Sequence, residues 1–273
     1  MNIKELKASY KDTLKSMDTE ETIDLCFYRP IGYMWAVLCA KLGIKPNAIT
    51  IASIFIGVAA GVMFYFDDLW LNIVGVLLLV WANSFDSADG QLARMTQQYS
   101  RLGRILDGLS GDFWFVAIYL AICFRENCTS VFFVEHQWVI WAIAVAAGLC
   151  HAKQAAAADY YRQFHLYFLK GSELDSVEQL DKAYAAVPWK GNFWKKTTMF
   201  FYRNYTANQE VLTPRMQQLR RALRKRFGEG EVSQSFRDTF RAGSKPLMKY
   251  TNWLSFNLRS IALVCSLLVK MPW

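Results

Sequence analysis

The residues best suited to chemistry lie in one short stretch, Ser84–Asp112, which carries four aspartates and three arginines between two long apolar runs. A charged side chain at the centre of a membrane-spanning helix costs roughly 2.5–3.5 kcal/mol on insertion scales. The charges in this stretch must therefore be compensated, and the compensating group should reveal what the protein does.

Three of these aspartates stand in helical register and predict a metal site. Asp86 and Asp89 share one face of a predicted helix, and Asp107 lies at the start of the next helix. Three clustered carboxylates would not stay ionised alone, and carboxylate oxygen suits hard divalent cations. Magnesium, manganese or calcium would suit these ligands. We expect magnesium or manganese, as two ions that clamp a diphosphate and stabilise charge on its attacking and leaving oxygens.

Small residues and one cation accompany the aspartates. Gly90 and Ala93 follow Asp89 on its helical face and leave room for a bulky ligand, while Gly103 allows close approach of the second helix. Arg94 can neutralise phosphate. The pattern therefore indicates a site for a ligand that carries phosphate.

The elements that position these residues are apolar runs of about the 20 residues that a bilayer requires. The sequence, 53% hydrophobic, predicts an all-α, polytopic transmembrane helix bundle with an N-terminal interfacial helix and a helical cytoplasmic insertion. The predicted spans are Ala48–Phe66, Leu69–Phe85, Ile105–Phe124, Trp138–Ala158 and Trp253–Met271.

The chain divides into four predicted regions. Residues 1–46 form an amphipathic helix and then an interfacial helix over 25–43, for which a buried span is the alternative. Residues 47–165 form the transmembrane catalytic core, with Asn47 as N-cap of its first span. Residues 166–249 form a basic helical insertion. Residues 250–273 form a further span, and we expect a sixth beyond Trp273.

The distribution of positive charge predicts the orientation in the membrane. Seventeen of the 31 lysines and arginines lie between Tyr160 and Tyr250, and seven precede Pro46. By the positive-inside rule these segments and the aspartate stretch face the cytoplasm. Topology and anionic lipid headgroups thus explain the net charge of +8, and we expect membrane lipids and no nucleic acid as partners.

The aspartate stretch resembles the signature of the CDP-alcohol phosphotransferases, also called CDP-alcohol phosphatidyltransferases, D-x2-D-G-x2-A-R-x8-G-x3-D-x3-D. It stands here as Asp86, Asp89-Gly90, Ala93-Arg94, Gly103 and Asp107. The segment "KPNAIT" is also similar to the start of the first span in that family. The resemblance covers roughly residues 23–161.

The resemblance implies an enzyme that binds a CDP-activated donor on the cytoplasmic side, where an acceptor hydroxyl attacks the β-phosphate and releases CMP. We expect CDP-diacylglycerol as donor, an acceptor such as inositol, inositol phosphate or glycerol phosphate, and a homodimer. A soluble CDP-linked headgroup passed to a lipid alcohol is the open alternative. The resemblance assigns Asp86, Asp89 and Asp107 to the metals, and Gly90, Ala93, Arg94 and Gly103 to the nucleotide.

The sequence departs from the signature at its fourth aspartate, because position 111 is Gly111 and Asp112 follows it. On a regular helix Asp112 points about 100° away from position 111. Either Asp112 is a displaced base on a locally widened helix, or another group takes the proton, or the chemistry is lost. We expect the first. The helix should then widen between Asp107 and Phe113, with Asp107 and Asp112 as catalytic residues.

Four further residues are weaker candidates. His151 is either a structural histidine or a catalyst, and Lys153 and Arg162 could bind a phosphate of the acceptor or meet lipid headgroups. Arg259 lies inside an apolar run, where an arginine normally faces a cavity or a partner, so we assign it to the substrate pocket with a structural pairing as the alternative.

Two other functions stay open at this point. A relative without catalytic activity could bind metal and CDP-alcohol, which the glycine at position 111 would favour. A divalent-cation transporter is a third hypothesis, since carboxylates inside a membrane also mark ion paths.

Overall fold

A computed structural model of the protein describes residues 10–170, 174–228 and 232–270. Across these residues the regular secondary structure is helical, with no strand, which confirms the predicted all-α fold. The chain divides into two compact units, Met1–Cys150 with Phe256–Trp273, and His151–Ser255. The first unit holds the aspartate stretch.

The helices are numbered in chain order. A π-helical turn, Asp24–Tyr28, leads directly into α1, and a 3-10 turn, Lys245–Leu247, precedes α11. The α-helices are α1 Arg29–Lys41, α2 Pro46–Met63, α3 Leu69–Thr96, α4 Arg101–Thr129, α5 Val131–Glu135, α6 Gln137–Lys170, α7 Val177–Ala186, α8 Phe193–Leu212, α9 Pro214–Phe227, α10 Gln234–Ser244, α11 Met248–Asn252 and α12 Phe256–Leu268.

Four helical segments of the described chain are long and apolar enough to cross a membrane: Pro46–Met63, Leu69–Thr96, Leu106–Thr129 and Gln137–Leu169. They confirm the first four predicted spans. They also confirm that the fourth continues as helix beyond its predicted end at Ala158.

The fifth predicted span, residues 253–271, is not among these four segments of the described chain, and it stays a prediction. Turn hydrogen bonds at Trp253 and Leu254 separate α11 from α12, which has 13 residues. At 1.5 Å per residue α12 is about 20 Å long, short of a hydrocarbon core of roughly 30 Å. Residue 271 onward, and with it the expected sixth span beyond Trp273, lies outside the described residues.

The N-terminal part is less helical than predicted. Residues 1–9 of the predicted amphipathic helix lie outside the described residues, and residues 13–21 form turns. The predicted interfacial helix over 25–43 forms the π-helical turn and α1, with Pro30 in its first turn. Helix α1 packs against α3 through buried Ala36 and Leu92.

Helix α2 packs against both α3 and α4, and glycines allow the close approach to α4. A Cβ added at Gly57 would lie 2.0 Å from Cδ1 of the buried Trp114. One turn later, a Cβ added at Gly61 would lie 2.9 Å from the backbone carbon of Ala117. Small residues one turn apart are a common means of close helix packing in membranes.

The turn between α2 and α3 is fixed by side chains. Asp68 is the N-cap of α3 and accepts a hydrogen bond from Leu71 N at 2.9 Å. The buried Arg125 of α4 donates from Nη2 to Asp67 Oδ1 at 2.7 Å, and its Nη1 lies 3.5 Å from Phe64 O. These contacts join α4 to the turn and set the register of α2, α3 and α4.

The second unit has an aromatic core of its own. Tyr160, Phe164 and Phe168 of α6 are buried there with Val232. The predicted helix in "SELDSVEQLDKAYAAV" is confirmed as α7, which begins with a capping box formed by Ser176 and Gln179. The predicted helix in "TPRMQQLRRALRKRFGEG" is confirmed as α9.

The contacts of the glycines predict how two matched glycine-to-alanine substitutions change the stability of the fold. Gly57→Ala places a methyl group where Trp114 now lies, and overpacking of this kind costs about 1–3 kcal/mol. Gly148→Ala, in another predicted span, meets no atom within 4 Å and should leave stability within about 1 kcal/mol of wild type. Thermal unfolding in detergent measures both variants. A Gly57→Ala protein as stable as Gly148→Ala would contradict the packing.

Candidate active site

The structure brings together the three aspartates that helical register predicts. Asp86 and Asp89 lie on α3 and Asp107 lies near the start of α4, and one carboxylate oxygen of each is within 4.8 Å of the other two. The side chain of Asp89 is buried, while Asp86 and Asp107 are half-buried. We call these three residues the aspartate group.

Hydroxyl groups from the two neighbouring helices hold the α3 carboxylates. Thr50 Oγ1, on α2, donates a short hydrogen bond to Asp89 Oδ2. Ser110 Oγ, on α4, donates to Asp86 Oδ1 at 2.6 Å and also lies 2.8 Å from Asp107 O. The sequence interpretation missed both residues; the position of Thr50 in "KPNAIT" was the available signal for one of them.

The chemistry of the aspartate group fits a divalent cation. Like charges this close disfavour simultaneous ionisation, and burial adds to that cost. Asp89 Oδ1 is buried and has no hydrogen-bond partner among the described residues, so one acceptor oxygen is left for a ligand. Carboxylate oxygens without nitrogen or sulfur ligands favour hard ions such as magnesium, manganese or calcium.

Gly103 serves the approach of α4 to α2. A Cβ at this position would lie 2.6 Å from Asn47 Oδ1 and 2.8 Å from Ser100 Oγ. Ser100 is the N-cap of α4 and accepts from Gly103 N at 2.8 Å. The prediction that Asn47 caps α2 is wrong, because α2 begins at Pro46 and Asn47 Oδ1 instead accepts from Ser100 Oγ at 3.3 Å.

The remaining signature residues follow the aspartates on α3. The Arg94 guanidinium lies over Gly90, where an added Cβ would be 3.4 Å from Nη1 and Nη2. Arg94 Nε donates a short hydrogen bond to Thr13 O, while Nη2 is buried without a partner among the described residues. Ala93 lies beside Arg94 and is half-buried. Arg94 thus has one donor fixed by the protein and one left for a ligand.

Residues before the first predicted span also contact this part of α3, which the sequence interpretation missed. The fully buried Gln91 donates from Nε2 to Thr13 Oγ1 at 3.3 Å and to Arg29 O at 3.2 Å. Arg29 Nε donates to Glu20 Oε2 at 2.9 Å. Burial by itself lowers the pKa of Arg29, but the carboxylates of Glu20, Asp24 and Asp86 together outweigh burial and raise this pKa above its ordinary value.

The expected widening of α4 at Asp112 is wrong. Helix α4 is regular from Arg101 to Thr129, and the π-helical turn of the described chain lies at Asp24–Tyr28 instead. Asp112 is exposed and is not part of the aspartate group. Because each residue turns a regular helix by 100°, Asp112 points away from the face that carries Asp107.

Arg259 on α12 explains why a carboxylate can stand at position 112. Its electrostatic partners are Tyr119 and Asp112, both on α4. A charge inside a bundle is usually paired, so this electrostatic interaction favours the structural alternative for Arg259. A role for Arg259 in the substrate pocket stays a prediction.

The three other candidates lie in the second unit. His151 is buried, and Lys153 is exposed on the same helix, α6. Arg162 donates from Nη2 to Asn252 Oδ1 at 2.9 Å and from Nε to Thr251 Oγ1 at 3.3 Å. Arg162 therefore joins α6 to α11, and roles for these residues in binding stay predictions.

Comparison with known proteins agrees with the geometry. A search among curated protein sequences gave no match. The family model described as CDP-alcohol phosphatidyltransferase matches residues 44–169, which include Thr50, the aspartate group and Arg94. Members of this family transfer a phospho-alcohol from a CDP-alcohol, generally with divalent metals. The resemblance drawn from the signature is thereby confirmed: residues 44–169 of this chain match the model of the CDP-alcohol phosphatidyltransferase family.

Proposed function

We propose that the protein is an integral-membrane, metal-dependent transferase that makes a phospholipid-type headgroup linkage. Its donor is CDP-diacylglycerol, and its acceptor is a polar alcohol such as inositol, inositol phosphate or glycerol phosphate. The observation that carries the proposal is the aspartate group, whose members meet within 4.8 Å in the family's signature and leave Asp89 Oδ1 without a partner among the described residues.

The aspartate group would hold two magnesium or manganese ions through Asp86, Asp89 and Asp107. Bound there, the ions would neutralise charge on the diphosphate oxygens as the bond to the leaving group breaks. Thr50 and Ser110 would keep the Asp89 and Asp86 carboxylates oriented, because each donates a hydrogen bond to one of their oxygens.

In the reaction, the oxygen of the acceptor hydroxyl forms a bond to the β-phosphorus of the donor. The bond from that phosphorus to the bridging oxygen breaks, and CMP leaves with this oxygen. The hydroxyl proton must pass to a base. Thr50 donates a hydrogen bond to Asp89 and Ser110 donates one to Asp86, whereas neither donates to the Asp107 carboxylate. Among the clustered carboxylates, Asp107 is therefore the best candidate for this base.

The donor nucleotide would lie along α3, next to Gly90, Ala93 and Arg94, with Gly103 across from it on α4. The Nη2 group of Arg94 supports this placement, because it is buried beside Gly90 and can donate to a phosphate oxygen. We further propose a homodimer. We also propose that the active site faces the cytoplasm, an orientation that the distribution of lysine and arginine supports.

A CDP-alcohol-binding protein with impaired catalysis is the second candidate. The observation that favours it is the position of Asp112, which lies outside the aspartate group while position 111 is glycine. A divalent-cation transporter is a weaker candidate. It would carry metal into liposomes without any CDP compound.

Release of CMP by the purified protein tests the enzyme directly. We expect CMP from CDP-diacylglycerol with at least one of inositol, inositol phosphate or glycerol phosphate, and only when magnesium or manganese is present. A panel of soluble CDP-linked headgroups with diacylglycerol tests the reverse arrangement, in which the headgroup is the donor and a lipid alcohol is the acceptor. If CDP compounds raise the unfolding temperature but no pair of donor and acceptor yields CMP, the result would support the protein with impaired catalysis instead.

Matched variants link that activity to the aspartate group. Asp89→Asn and Asp107→Asn should each lower CMP release at least about a hundredfold, since even partners that only orient a metal ligand contribute 10–100-fold. Both should fold, because each removes one buried negative charge. Asp238→Asn, at an exposed position of α10, should behave as wild type. If CMP release falls by less than about tenfold in either variant, that residue does not bind the metal.

Asp112→Asn separates a base from a structural partner. A general base contributes about 10²–10⁴-fold to rate, whereas a purely electrostatic interaction with Arg259 predicts activity within about tenfold of wild type and a lower unfolding temperature. The double variant Asp112→Asn with Arg259→Gln should be less destabilised than the sum of the single changes. A loss of several hundredfold in a stable Asp112→Asn protein would restore Asp112 as the base.

Gly111→Asp tests whether a fourth carboxylate is lacking. The added Cβ meets no atom within 4 Å, so the variant should fold, and position 111 faces the side of α4 that carries Asp107. We expect CMP release above that of wild type if proton removal limits the reaction, with Gly108→Asp as control at another open position. Equal activity in the wild type, Gly111→Asp and Gly108→Asp would show that the reaction does not need a fourth carboxylate.

A further inference from the structure

The second unit carries an exposed aromatic surface at the turn from α7 to α8. We call residues 188–195 the α7–α8 tip. Its aromatic side chains are Trp189, Phe193 and Trp194, all exposed, and Trp194 is 78% exposed. The three rings form one patch, because the Phe193 centroid lies 6.3 Å from that of Trp189 and 5.5 Å from that of Trp194. Contiguous apolar patches on a protein surface mark interaction sites.

The aromatic patch continues along α8. Phe200 lies seven residues, about two helical turns, after Phe193. Phe201 stands in the same relation to Trp194, so the four rings lie on one side of the helix, and Phe200 and Phe201 are exposed as well. The opposite side carries the buried Thr206. Helix α8 thus has the amphipathic pattern of helices that lie at a membrane surface.

A buried lysine fixes the tip from the inside. Lys196 Nζ donates a hydrogen bond to Val187 O at 2.7 Å. The same ammonium group lies 4.6 Å from the ring centroid of Tyr184 and 5.2 Å from that of Trp189. These contacts join the first turn of α8 to the residues that precede it. The exposed aromatic side chains are therefore carried by a turn with a fixed structure.

The charge around the aromatic patch is positive. From residue 182 to residue 209 the sequence has five lysines and arginines and no aspartate or glutamate. Arg203 forms an ion pair with Asp181 at 2.7 Å, whereas Lys190 and Lys195 belong to the tip itself and are exposed. A partner that fits the tip therefore has negative charge at its surface and an apolar layer beneath it.

We propose that the α7–α8 tip docks on the headgroup region of a bilayer that contains anionic lipids. Tryptophan and phenylalanine rings suit the boundary between headgroups and acyl chains, and lysines are attracted to the negative surface potential of such lipids. The inference goes beyond the proposed function and does not depend on the transferase activity.

The attachment of the second unit favours lipid over a protein partner. The unit begins within α6, and α6 contains one of the segments that are long and apolar enough to cross a membrane. A surface tethered in this way meets the bilayer at high effective concentration, so a small contact suffices for binding. A protein partner would have to reach the same surface from solution or by diffusion in the membrane.

Amide hydrogen exchange of the full chain in nanodiscs tests the docking. Amides in turns and in the first turn of a helix lack intrahelical partners, so they exchange quickly where water reaches them. We expect amides of the tip to exchange at least about fivefold more slowly with about one third phosphatidylglycerol than in phosphatidylcholine alone. Salt at about 1 M should remove most of this difference, since it shortens the Debye length to about 3 Å.

A double variant tests the aromatic side chains. Phe193→Ser combined with Trp194→Ser should bring exchange in the anionic nanodiscs to within about twofold of that in phosphatidylcholine. The control, Leu247→Ser, changes an exposed apolar residue of the same unit outside the tip and should keep the protection. The unfolding temperature in detergent should stay close to that of wild type in both proteins, because the changed side chains are exposed.

A second double variant tests the charge without removing apolar surface from the tip. Lys190→Gln combined with Lys195→Gln should also abolish most of the protection. The control, Arg221→Gln combined with Lys225→Gln, removes two exposed cations from α9 and should leave the tip protected.

Three results would overturn the inference. The first is equal exchange of the wild-type tip in the two kinds of nanodisc. The second is an equal loss of protection in the two charge variants, since the net charge of the unit and not the tip would then be responsible. The third is protection found only in nanodiscs that hold two copies, since a second copy would then cover the tip. Protection with one copy per anionic nanodisc, lost in both tip variants alone, supports docking on lipid, whether or not the protein releases CMP.

Discussion

Repulsion among Asp86, Asp89 and Asp107 is the constraint on which the rest of the first unit depends. Two unit charges 4 Å apart interact by about 4 kcal/mol at an effective dielectric constant of 20, and these carboxylates have one oxygen each within 4.8 Å of the others. Two helices carry them, α3 and α4, and both pack against α2, so the carboxylates cannot relieve the repulsion by moving apart. Positive charge from outside the group must offset it, at the place where a phosphate ester would also require neutralisation.

Close helix packing makes this arrangement possible. Gly57 and Gly61 let α2 approach α4, and Gly103 lets the start of α4 approach Asn47. The helices on either side of α3 then each supply one hydroxyl to its carboxylates: Thr50 from α2 reaches Asp89, and Ser110 from α4 reaches Asp86. A displacement of α2 would thus alter the aspartate group as well as the core. Packing and site chemistry depend on the same interhelical distances.

Helical register predicted the aspartate group because the spacing of Asp86 and Asp89 is a local property, and apolar runs, also a local property, predicted the four spans that are confirmed. Thr50 and Ser110 carry no such pattern, since small hydroxyl residues are common in apolar helices. Thr13 and Gln91 are 78 positions apart, and nothing in either local sequence indicates their contact. Asp112 was assigned as base because no other carboxylate lay nearby on its helix, which overlooked a partner far along the chain, Arg259.

The way each charge is balanced distinguishes structure from function in this unit. Arg125 pairs with Asp67 and Arg29 pairs with Glu20, while Asp112 and Arg259 lie close enough to interact. Such pairs are electrically complete and need no ligand. The α3 carboxylates are held by hydroxyl groups, which orient an anion but add no positive charge. A protein that only had to stabilise these aspartates would place a buried cation between them. Hydroxyl donors instead keep the carboxylates aligned and leave their charge available, which is the arrangement that a metal and an anionic substrate require.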